Sequence, residues 1–393
     1  MANPTYSCYI AFTNNPFDTA ITWVDVSSDL MKFNIRRGRQ WELNRMETGT
    51  NVIRLKNLHS DYWPTNTTGS YYPNIQPWKR IKLSATWNAI TYDLFTGYIE
   101  SWQPTFILKP IKAPVMDLAC SDGIKHFSML LLNDVVGYSQ ETGGVRIGNI
   151  LTTMGWAVST RNIDTGVTTL QVTGALANAN AMVQVLKVQD TELGILFASA
   201  SGDMVFQDRQ HRFFPPFDTS QATFGDTGTD NKYTGVELSY EDLRIYNDIR
   251  VTPLGGAEQV ATSTTSIDSY GKRSLERTGL LMTSNADALA QSQYLLARYQ
   301  SPVMRCKAIE IKANSDPTNL YPKILGYEIS TRITAKLNQA SLNKDYHIEG
   351  IYHDWDVTNP EGLKTIWWLT DATQSNAWIW DTSLWDSADV WIY

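Results

Sequence analysis

The chain has 393 residues, of which 42% are hydrophobic, and a formal charge of −7. That length exceeds what one hydrophobic core usually covers, so we expect two or three domains. The negative charge excludes tight binding of nucleic acid through clustered lysine and arginine side chains. The three cysteines, Cys8, Cys120 and Cys306, are far apart, which excludes a disulfide framework and a paired-cysteine metal site, and we expect them to be buried.

The N-terminal sequence MANPTYSCYIAFTNN has no basic region and no apolar run, and nowhere do 18 apolar residues follow one another. We therefore expect synthesis in a cytoplasm and no insertion into a membrane. The chain has 14 tryptophans and 19 tyrosines but only 12 phenylalanines. This excess is typical of half-buried strands and subunit interfaces, because both side chains combine an apolar face with a polar atom.

Residues 1–105 are predicted to form a first β-domain. Phe33 and Ile35 alternate with polar neighbours in MKFNIRRGRQ, which is the period of a half-buried strand. The segment RIKLSATWNAITYDLFTGYIESW predicts a hairpin that turns near Trp87 and Asn88.

Residues 106–235 are predicted to form an inserted α+β module. The segment GGVRIGNILTTMGW has helical spacing and ends at Gly155. A second helix is predicted in NANAMVQVLKVQDTELG, with Asn178 or Asn180 as its N-cap. Short strands surround both helices, and the linker TFGDTGTDNKYTG marks the end of the module.

Residues 236–357 are predicted to form a second β-domain that contains one helix. That helix is SNADALAQSQYLLARY, with Asn285 as its N-cap and Pro302 just beyond its end. Residues 358–393 form a tryptophan-rich C-terminal segment. The sequence therefore predicts a mainly β fold with an α+β module between two β-domains.

An internal repeat indicates that the two β-domains are related. Three matches recur in the same order: IRLKNLHSD from Ile53 with IEIKANSD from Ile309, Tyr72-Pro73 with Tyr321-Pro322, each expected to open a hairpin, and TGYIESW ending at Trp102 with IEGIYHDW ending at Trp355. Their offsets are 256 (309 − 53), 249 (321 − 72) and 253 (355 − 102). Such a period is too long for a solenoid and indicates a duplication. A duplicated chain lets three copies present six similar faces around one axis.

The stretch SGDMVFQDRQHR, residues 201–212, has the composition of a catalytic cluster. Its MVFQDR part is predicted to be a strand, and Asp208 and Arg209 then point to opposite faces. His211 follows on the side away from Asp208, which prevents an acid–base pair within hydrogen-bond reach. We interpret the stretch as the polar end of a strand.

Two further charged groups invite a functional interpretation. His347, Glu349 and His353 share one face of a predicted strand, but six residues separate the two histidines by about 20 Å, which is too far for one metal ion. The basic run of Arg36, Arg37 and Arg39 lies either in a solvated turn or against an acidic neighbour; both alternatives stay open.

The segment DTGTDNKYTGVE partly fits a calcium-binding loop. Asp226, Asp230 and Glu237 stand at its positions one, five and twelve, but Gly228 occupies a ligand position and Asn231 replaces the usual glycine. A flexible linker is the preferred interpretation, and calcium stays open. No nucleotide-binding or nucleophile motif occurs. The sequence thus predicts no catalytic residue, no metal site, no cofactor and no enzymatic activity.

The C-terminal segment WIWDTSLWDSADVWIY carries four tryptophans, Trp378, Trp380, Trp385 and Trp391. Such large aromatic side chains are unusual in a free solvated tail. They either close the second β-domain, dock on a neighbouring subunit or form a platform for stacking sugars. We take them as candidates for a subunit interface.

Several segments resemble the tail-hub proteins of long-tailed bacteriophages, a family that includes minor tail proteins of siphophages. They are ITWVDVSSDL with IRRGRQWELNRMETGT, YYPNIQPWKRIKL with FTGYIESW, SGDMVFQDR, SYGKRSL before ADALAQSQYLLARY, and HIEGIYHDWD. Together they span nearly the whole chain. The resemblance implies two β-barrels per chain, both related to the tail-tube fold, in a trimeric ring that forms a pseudo-sixfold collar at the tail tip.

The resemblance also implies partners and a location. We expect a homotrimer in the virion tail tip that contacts a distal tail or tube protein, a tape measure protein, and tip or fibre proteins. DNA would pass through its channel without specific binding. Some relatives continue into a peptidase or lysozyme-like domain, for which these 393 residues leave no room. The alternatives are a hexameric distal tail ring and a tail-associated protein that degrades cell wall or binds carbohydrate.

Overall fold

The computed structural model describes residues 3–107, 113–133 and 136–372, and the backbone of two short strands beyond them. Seven strands come first along the chain: β1 Thr5–Ala11, β2 Val24–Asp25, β3 Leu30–Gly38, β4 Glu47–Lys56, β5 Arg80–Trp87, β6 Ile90–Ile107 and β7 Ala113–Ser121. Strand β5 turns into β6 through Asn88 and Ala89, both with positive φ. The hairpin predicted near Trp87 and Asn88 is confirmed.

Short elements and three helices follow: α1 Ile124–Met129, β8 Leu131–Leu132, β9 Glu141–Thr142, α2 Gly143–Thr153, β10 Arg161–Ile163, β11 Thr169–Leu170, β12 Ala179–Asn180, α3 Ala181–Glu192, β13 Ile195–Ala198, β14 Met204–Gln207 and β15 Thr223–Phe224. The side chain of Asn180 accepts a hydrogen bond from the Val183 amide, which identifies Asn180 as the N-cap of α3. Gly155, with φ +74°, follows α2 and ends it as predicted.

The remaining elements complete the chain: β16 Gly235–Ser239, β17 Asp248–Pro253, β18 Gln259–Thr262, α4 Thr264–Tyr270, β19 Ser274–Leu280, α5 Asn285–Tyr299, β20 Arg305–Lys312, α6 Pro317–Gly326, β21 Arg332–Leu337, β22 Leu342–Asp356, β23 Lys364–Asp371, β24 Ala377–Trp378 and β25 Val390–Trp391. Three helices thus lie where one was predicted. The N-cap of α5 is Ser284, whose hydroxyl accepts from the Asp287 amide. Asn285, the predicted cap, instead accepts from the Ala257 amide.

One large sheet runs through both halves of the chain. Within the described residues it has 13 strands, in the order β16-β20-β23-β22-β3-β4-β7-β6-β5-β1-β2, with β21 beside β22 and β15 beside β21. The halves join where β22 pairs antiparallel with β3, from Gly350 opposite Gly38 to Asp356 opposite Lys32. A single apolar core of both halves packs against it. The predicted mainly β fold with an inserted α+β module is confirmed.

The pairing order repeats between the halves and confirms the duplication. Strands β4, β7, β6 and β5 are neighbours in that order, and so are β20, β23, β22 and β21. In the first half Ile53 lies opposite Leu118, and in the second Ile309 lies opposite Trp367. Leu118 and Trp367 correspond, because each lies one residue from the point where the ladder with β6 or β22 skips a residue. Ile53 and Ile309 are therefore equivalent, as the sequence predicts.

The other two matches of the repeat need correction. Trp102 lies opposite Leu118 and Ile351 lies opposite Trp367, so Trp102 is equivalent to Ile351 and not to Trp355. Tyr72 lies in the turn-rich segment before β5, whereas Tyr321 lies inside helix α6. The two Tyr-Pro pairs occupy the same place in the chain order, but neither opens a hairpin, because a dipeptide is too short to fix the backbone against its surroundings.

The module and the second half each add a smaller core. Helices α2 and α3 pack with β13 and β14 around Phe127, Ile147, Leu151, Val185 and Phe206, all buried. The three-stranded sheet β18-β17-β19 packs against α5. Strand β7 pairs with β4 and β6, so it lies in the first half although it falls inside the range 106–235.

The three cysteines are buried and unpaired by disulfides, as expected. Of the helices in the described part of the chain, none is long and apolar enough to cross a membrane. At the C-terminus the backbones of Trp378 and Trp391 pair in parallel. Trp380 and Trp385 lie outside the described residues, so the predicted interface role of the four tryptophans stays a prediction.

Candidate functional site

The stretch 201–212 forms strand β14 and the turn that follows it. The Asp208 carboxylate accepts from the Gln210 amide at 2.9 Å and so closes the turn. His211 points elsewhere: its Nδ1 lies 2.7 Å from Oδ2 of Asp164. Strand β14 pairs in parallel with β10, and this brings Asp164, 47 residues away in sequence, to the histidine.

The Asp164–His211 pair is a packed polar contact. The imidazole lies 4.5 Å from the Phe217 ring, between centroids, and its Nε2 is buried without a hydrogen-bond partner among the described residues. Burial would raise the pKa of Asp164, but hydrogen bonds from His211 and from the Asp208 amide lower it. An aspartate that orients a histidine needs a nucleophile at the other ring nitrogen to act in hydrolysis, and no described side chain donates or accepts there.

His347, Glu349 and His353 do not form a common site on β22. The ladder between β22 and β23 skips a residue between Ile348 and Gly350, and this bulge interrupts the alternation of side chains. His347 Nδ1 lies 2.9 Å from the Ser330 carbonyl, and His353 Nδ1 lies 2.9 Å from the Thr365 hydroxyl. Burial lowers the pKa of each histidine to about 3, so both are neutral.

Glu349 at the bulge is fully buried and bound by two arginines. Arg39 Nε donates to Oε2 at 2.7 Å, and Arg212 Nη1 donates to Oε1. Burial would raise the pKa of Glu349, but the charges of Arg212 and Arg39 lower it well below its usual range. The residue is thus an ionised carboxylate that joins β3 and the turn after β14 to the second half.

The basic run of Arg36, Arg37 and Arg39 contacts acidic neighbours and does not form a solvated turn. Arg36 pairs with Glu47 at 2.9 Å, Arg37 with Glu328 at 2.8 Å, and Arg39 with Glu349. Arg37 and Arg39 are buried. The charges of Arg37 and Arg39 are therefore neutralised by ion pairs inside the fold.

The residues of the possible calcium loop do not converge. The Asp226 carboxylate accepts from the Asn338 amide at 3.0 Å, and Asp230 lies 3.6 Å from Lys336 Nζ. Glu237 stands in strand β16. In the described part of the chain no three histidine, cysteine, aspartate or glutamate side chains are grouped so that they could hold a metal ion.

Among the strand edges that remain open after the internal pairing, those of β16 and of the second part of β6 are the candidate functional site. Strand β16 ends the sheet and pairs only with β20 among the described residues. Strand β6 pairs with β5 as far as Tyr98, and from residue 101 to 107 it pairs on one side only, with β7. An unpaired edge exposes backbone amide and carbonyl groups that can hydrogen-bond to a strand of another chain.

These two edges are equivalent to the two strands that join inside the chain. Strand β22 corresponds to β6, because both carry the bulge and pair with corresponding strands. Strand β3 corresponds to β16, because Phe33 lies opposite Ile53 and Val236 lies opposite Ile309. The open parts of β6 and β16 are thus equivalent to the two strands that pair with each other inside the chain.

The fold is that of phage tail proteins. The chain is similar to a 43 kDa tail protein of prophage MuSo2 from Shewanella oneidensis, with 13% identity, a TM-score of 0.57, and coverage of 93% of this chain and 98% of that one. A tail protein from Neisseria meningitidis is 10% identical, with a TM-score of 0.61 and coverage of 94% of this chain and 97% of that one. Prophage tail protein gp18 from Listeria monocytogenes is 10% identical, with a TM-score of 0.52 and coverage of 93% of this chain and 95% of that one. No family model and no curated protein matches the sequence. The resemblance to tail proteins predicted from the sequence is confirmed at the level of the fold.

Proposed function

We propose that the chain is a structural component of a phage tail and forms a trimeric hub at the tail tip. The observation that carries this proposal is the pair of open edges on β6 and β16, equivalent to the strands joined inside the chain. The similarity to solved tail proteins over 93–94% of the chain supports it.

Assembly would repeat the internal joint between chains. If β6 of one chain pairs with β16 of the next, the contact is heterologous, because different surfaces of the two copies meet. Heterologous contacts close into a ring when the rotation permits. Each chain supplies two related halves, so three chains present six related halves around the axis. A ring of six separate chains is therefore not needed.

The residues of the two open edges are those of strands that pair selectively with one partner. Pro104 lies in the open part of β6, and proline in sheets is confined to edges and bulges. Glu237 stands on the other open edge and is exposed. Proline and charged residues on edges suppress indiscriminate pairing, so only a partner in the correct register is joined.

The ring would connect the tail tube to the tip and surround a channel for DNA. The charge of −7 fits a channel that passes a duplex without holding its phosphates. Arg37 and Arg39 are buried in ion pairs and are not available to line such a channel. The expected neighbours are a distal tail or tube protein, a tape measure protein, and tip or fibre proteins.

Paired cysteines test the external joint with an internal control. Asp354 lies opposite Asn34 in the β22–β3 ladder. The equivalent positions are Thr105 on β6 and Glu237 on β16, so Thr105→Cys with Glu237→Cys should form disulfides between chains. On a non-reducing gel after mild oxidation we expect species of up to three chains.

The matched control is the double variant Asn34→Cys with Asp354→Cys, which should form its disulfide within one chain. It verifies oxidation and shows the gel mobility of a single cross-linked chain. If the Thr105/Glu237 variant stays monomeric while the control oxidises fully, the edge pairing is refuted. A ladder of up to six chains would favour the hexameric ring.

A further inference from the structure

A cavity of about 130 Å³ lies where the first half, the module and the second half meet. Its walls come from the segment after β3, the end of α3 with the start of β13, the turn after β14, strand β19, helix α5, and strands β21, β22 and β23. Seven arginine side chains line it, against four carboxylates, Glu42, Asp190, Asp208 and Asp371. This excess of positive charge is unexpected in a chain whose net charge is negative.

Two of the arginines share one carboxylate. Arg39 and Arg212 both donate to Glu349, which is completely buried behind the cavity wall. The Nη2 atom of Arg212 is buried and has no hydrogen-bond partner among the described residues. Two guanidinium groups on one carboxylate leave one positive charge without a counter-charge at this wall.

A third arginine, Arg277 on β19, has no ion pair within the described part of the chain. Its Nη1 lies 3.4 Å from the carbonyl oxygen of Asp190, whereas the Asp190 carboxylate binds Arg45 at 3.2 Å. Burial lowers the pKa of Arg277, the charge of Asp190 partly offsets this effect, and the positive charges of Arg39 and Arg45 add to it. Arg277 and Arg45 therefore share the charge of Asp190, and Arg277 has no carboxylate of its own within the described part of the chain.

Several other charged groups of the lining already have a partner of opposite charge or are neutral. Arg298 binds Glu42, and Arg332 binds Asp345. His347 is neutral because burial and Arg212 lower its pKa to about 3. Burial raises the pKa of Asp371, and its carboxylate lies 3.9 Å from Lys344 Nζ, a cation outside the lining. At Arg277 and at the pair Arg39 and Arg212, the guanidinium groups thus outnumber the carboxylates that they bind.

We propose that this cavity binds a small polyvalent oxyanion of the phosphate or polycarboxylate class. Guanidinium groups present two parallel N–H donors that match the oxygens of such an ion. Buried positive charge is costly unless an anion compensates it, so the unpaired guanidinium groups define where the ligand oxygens lie. The bound ion would connect α5 and β19 to the β3 segment and so fix the three parts of the chain together.

Calorimetric titration of the purified full chain with inorganic phosphate, and separately with citrate, tests this site at constant ionic strength and pH. We expect saturable binding of about one ion per chain for at least one of the two. The ion that binds with the lower dissociation constant shows whether the site prefers phosphate or carboxylate groups. In Arg277→Gln the dissociation constant should rise about tenfold or more, the loss typical of one charge-assisted hydrogen bond.

Two further variants keep the result interpretable. Arg273→Gln removes the same charge just before the same strand, but Arg273 binds Asp242 at the surface and does not line the cavity, so its affinity should equal that of the parent. Arg277→Lys keeps the charge without the planar fork and should bind with intermediate affinity. The absence of saturable binding of either ion, or equal affinity in the Arg277→Gln and Arg273→Gln variants, overturns the proposal.

Discussion

Glu100 and Glu349 occupy the same bulge in the two halves of the chain, and each binds a cation of the module between them. The β6–β7 ladder skips a residue between Ile99 and Ser101, as the β22–β23 ladder does between Ile348 and Gly350. Glu100 lies 2.5 Å from Lys125 Nζ on α1, and Glu349 accepts from Arg212 in the turn after β14. The duplicated halves therefore hold the module through equivalent positions.

The two glutamates differ in burial, and this predicts different contributions to stability. Glu349 is fully buried between two arginines, whereas the Glu100 side chain is one-third exposed. In urea unfolding, Glu349→Gln should lower the free energy of unfolding by roughly 3–5 kcal/mol, the usual cost of breaking a buried pair. Glu100→Gln should cost about 0–1 kcal/mol. Equal losses would mean that burial does not distinguish the two bulges.

Buried His353 predicts a dependence of stability on pH. Burial lowers its pKa to about 3, below the ordinary value of 6.5 that applies in the unfolded chain. The stabilisation is therefore present above pH 6.5 and is lost as the pH falls toward 3, because the unfolded chain takes up a proton that the folded chain excludes. A single such histidine contributes a loss of roughly 2 kcal/mol between pH 6.5 and 5.

The measurement is the free energy of unfolding of the parent and of His353→Gln at pH 7.5, 6.5 and 5.0. The loss between pH 6.5 and 5.0 should be smaller in the variant by roughly 2 kcal/mol. Asp122, whose pKa burial raises to about 7, changes stability in the opposite direction, but it is present in both proteins and cancels in the comparison. Parallel pH curves would show that His353 is not the titrating group.

Local patterns identified much of the fold, because alternation, helix caps and turn residues act over short distances. Helices α2, α3 and α5 and the first strands follow from such signals. Helix α6 was missed although Asp316 and Pro317 carry a helix start signal, since Tyr321-Pro322 was interpreted as part of a hairpin. Burial of Leu320, Ile324 and the Tyr321 ring against the core favours the helix there.

Long-range contacts were beyond the sequence. The partner of His211, Asp164, becomes visible only once β10 and β14 pair in parallel. Trp355 was matched with Trp102 because both are tryptophans, and only the strand ladders show that Ile351 is the position equivalent to Trp102. The arginine cavity gathers side chains from eight separate segments, and no spacing along the chain predicts it.

The Asp164–His211 pair predicts an effect on stability and none on turnover. Purified parent protein should leave peptidoglycan intact in a turbidity assay, because no described nucleophile contacts the buried Nε2 of His211. Asp164→Asn should lower the melting temperature, since the pair ties β10 to the turn after β14. Asp208→Ala, which removes only the turn contact, should change it less. Peptidoglycan clearing that disappears in Asp164→Asn would identify a hydrolase.

Substitution of the tryptophans in the C-terminal segment is predicted to affect assembly of the ring and not folding of the single chain. We expect that Trp378 and Trp391, with Trp380 and Trp385, dock on a neighbouring subunit, since large aromatic side chains supply most of the energy of such contacts. Serine in place of Trp378 and Trp391 should then lower the fraction of ring in native mass spectra while the dilute single chain keeps its melting temperature. Phe214→Ser, which replaces an aromatic residue exposed on the surface, is the control and should leave both quantities unchanged. If the tryptophans close the second β-domain instead, the melting temperature of the single chain falls together with the ring. A loss of binding to cell-wall sugars with both quantities intact would point to the stacking platform.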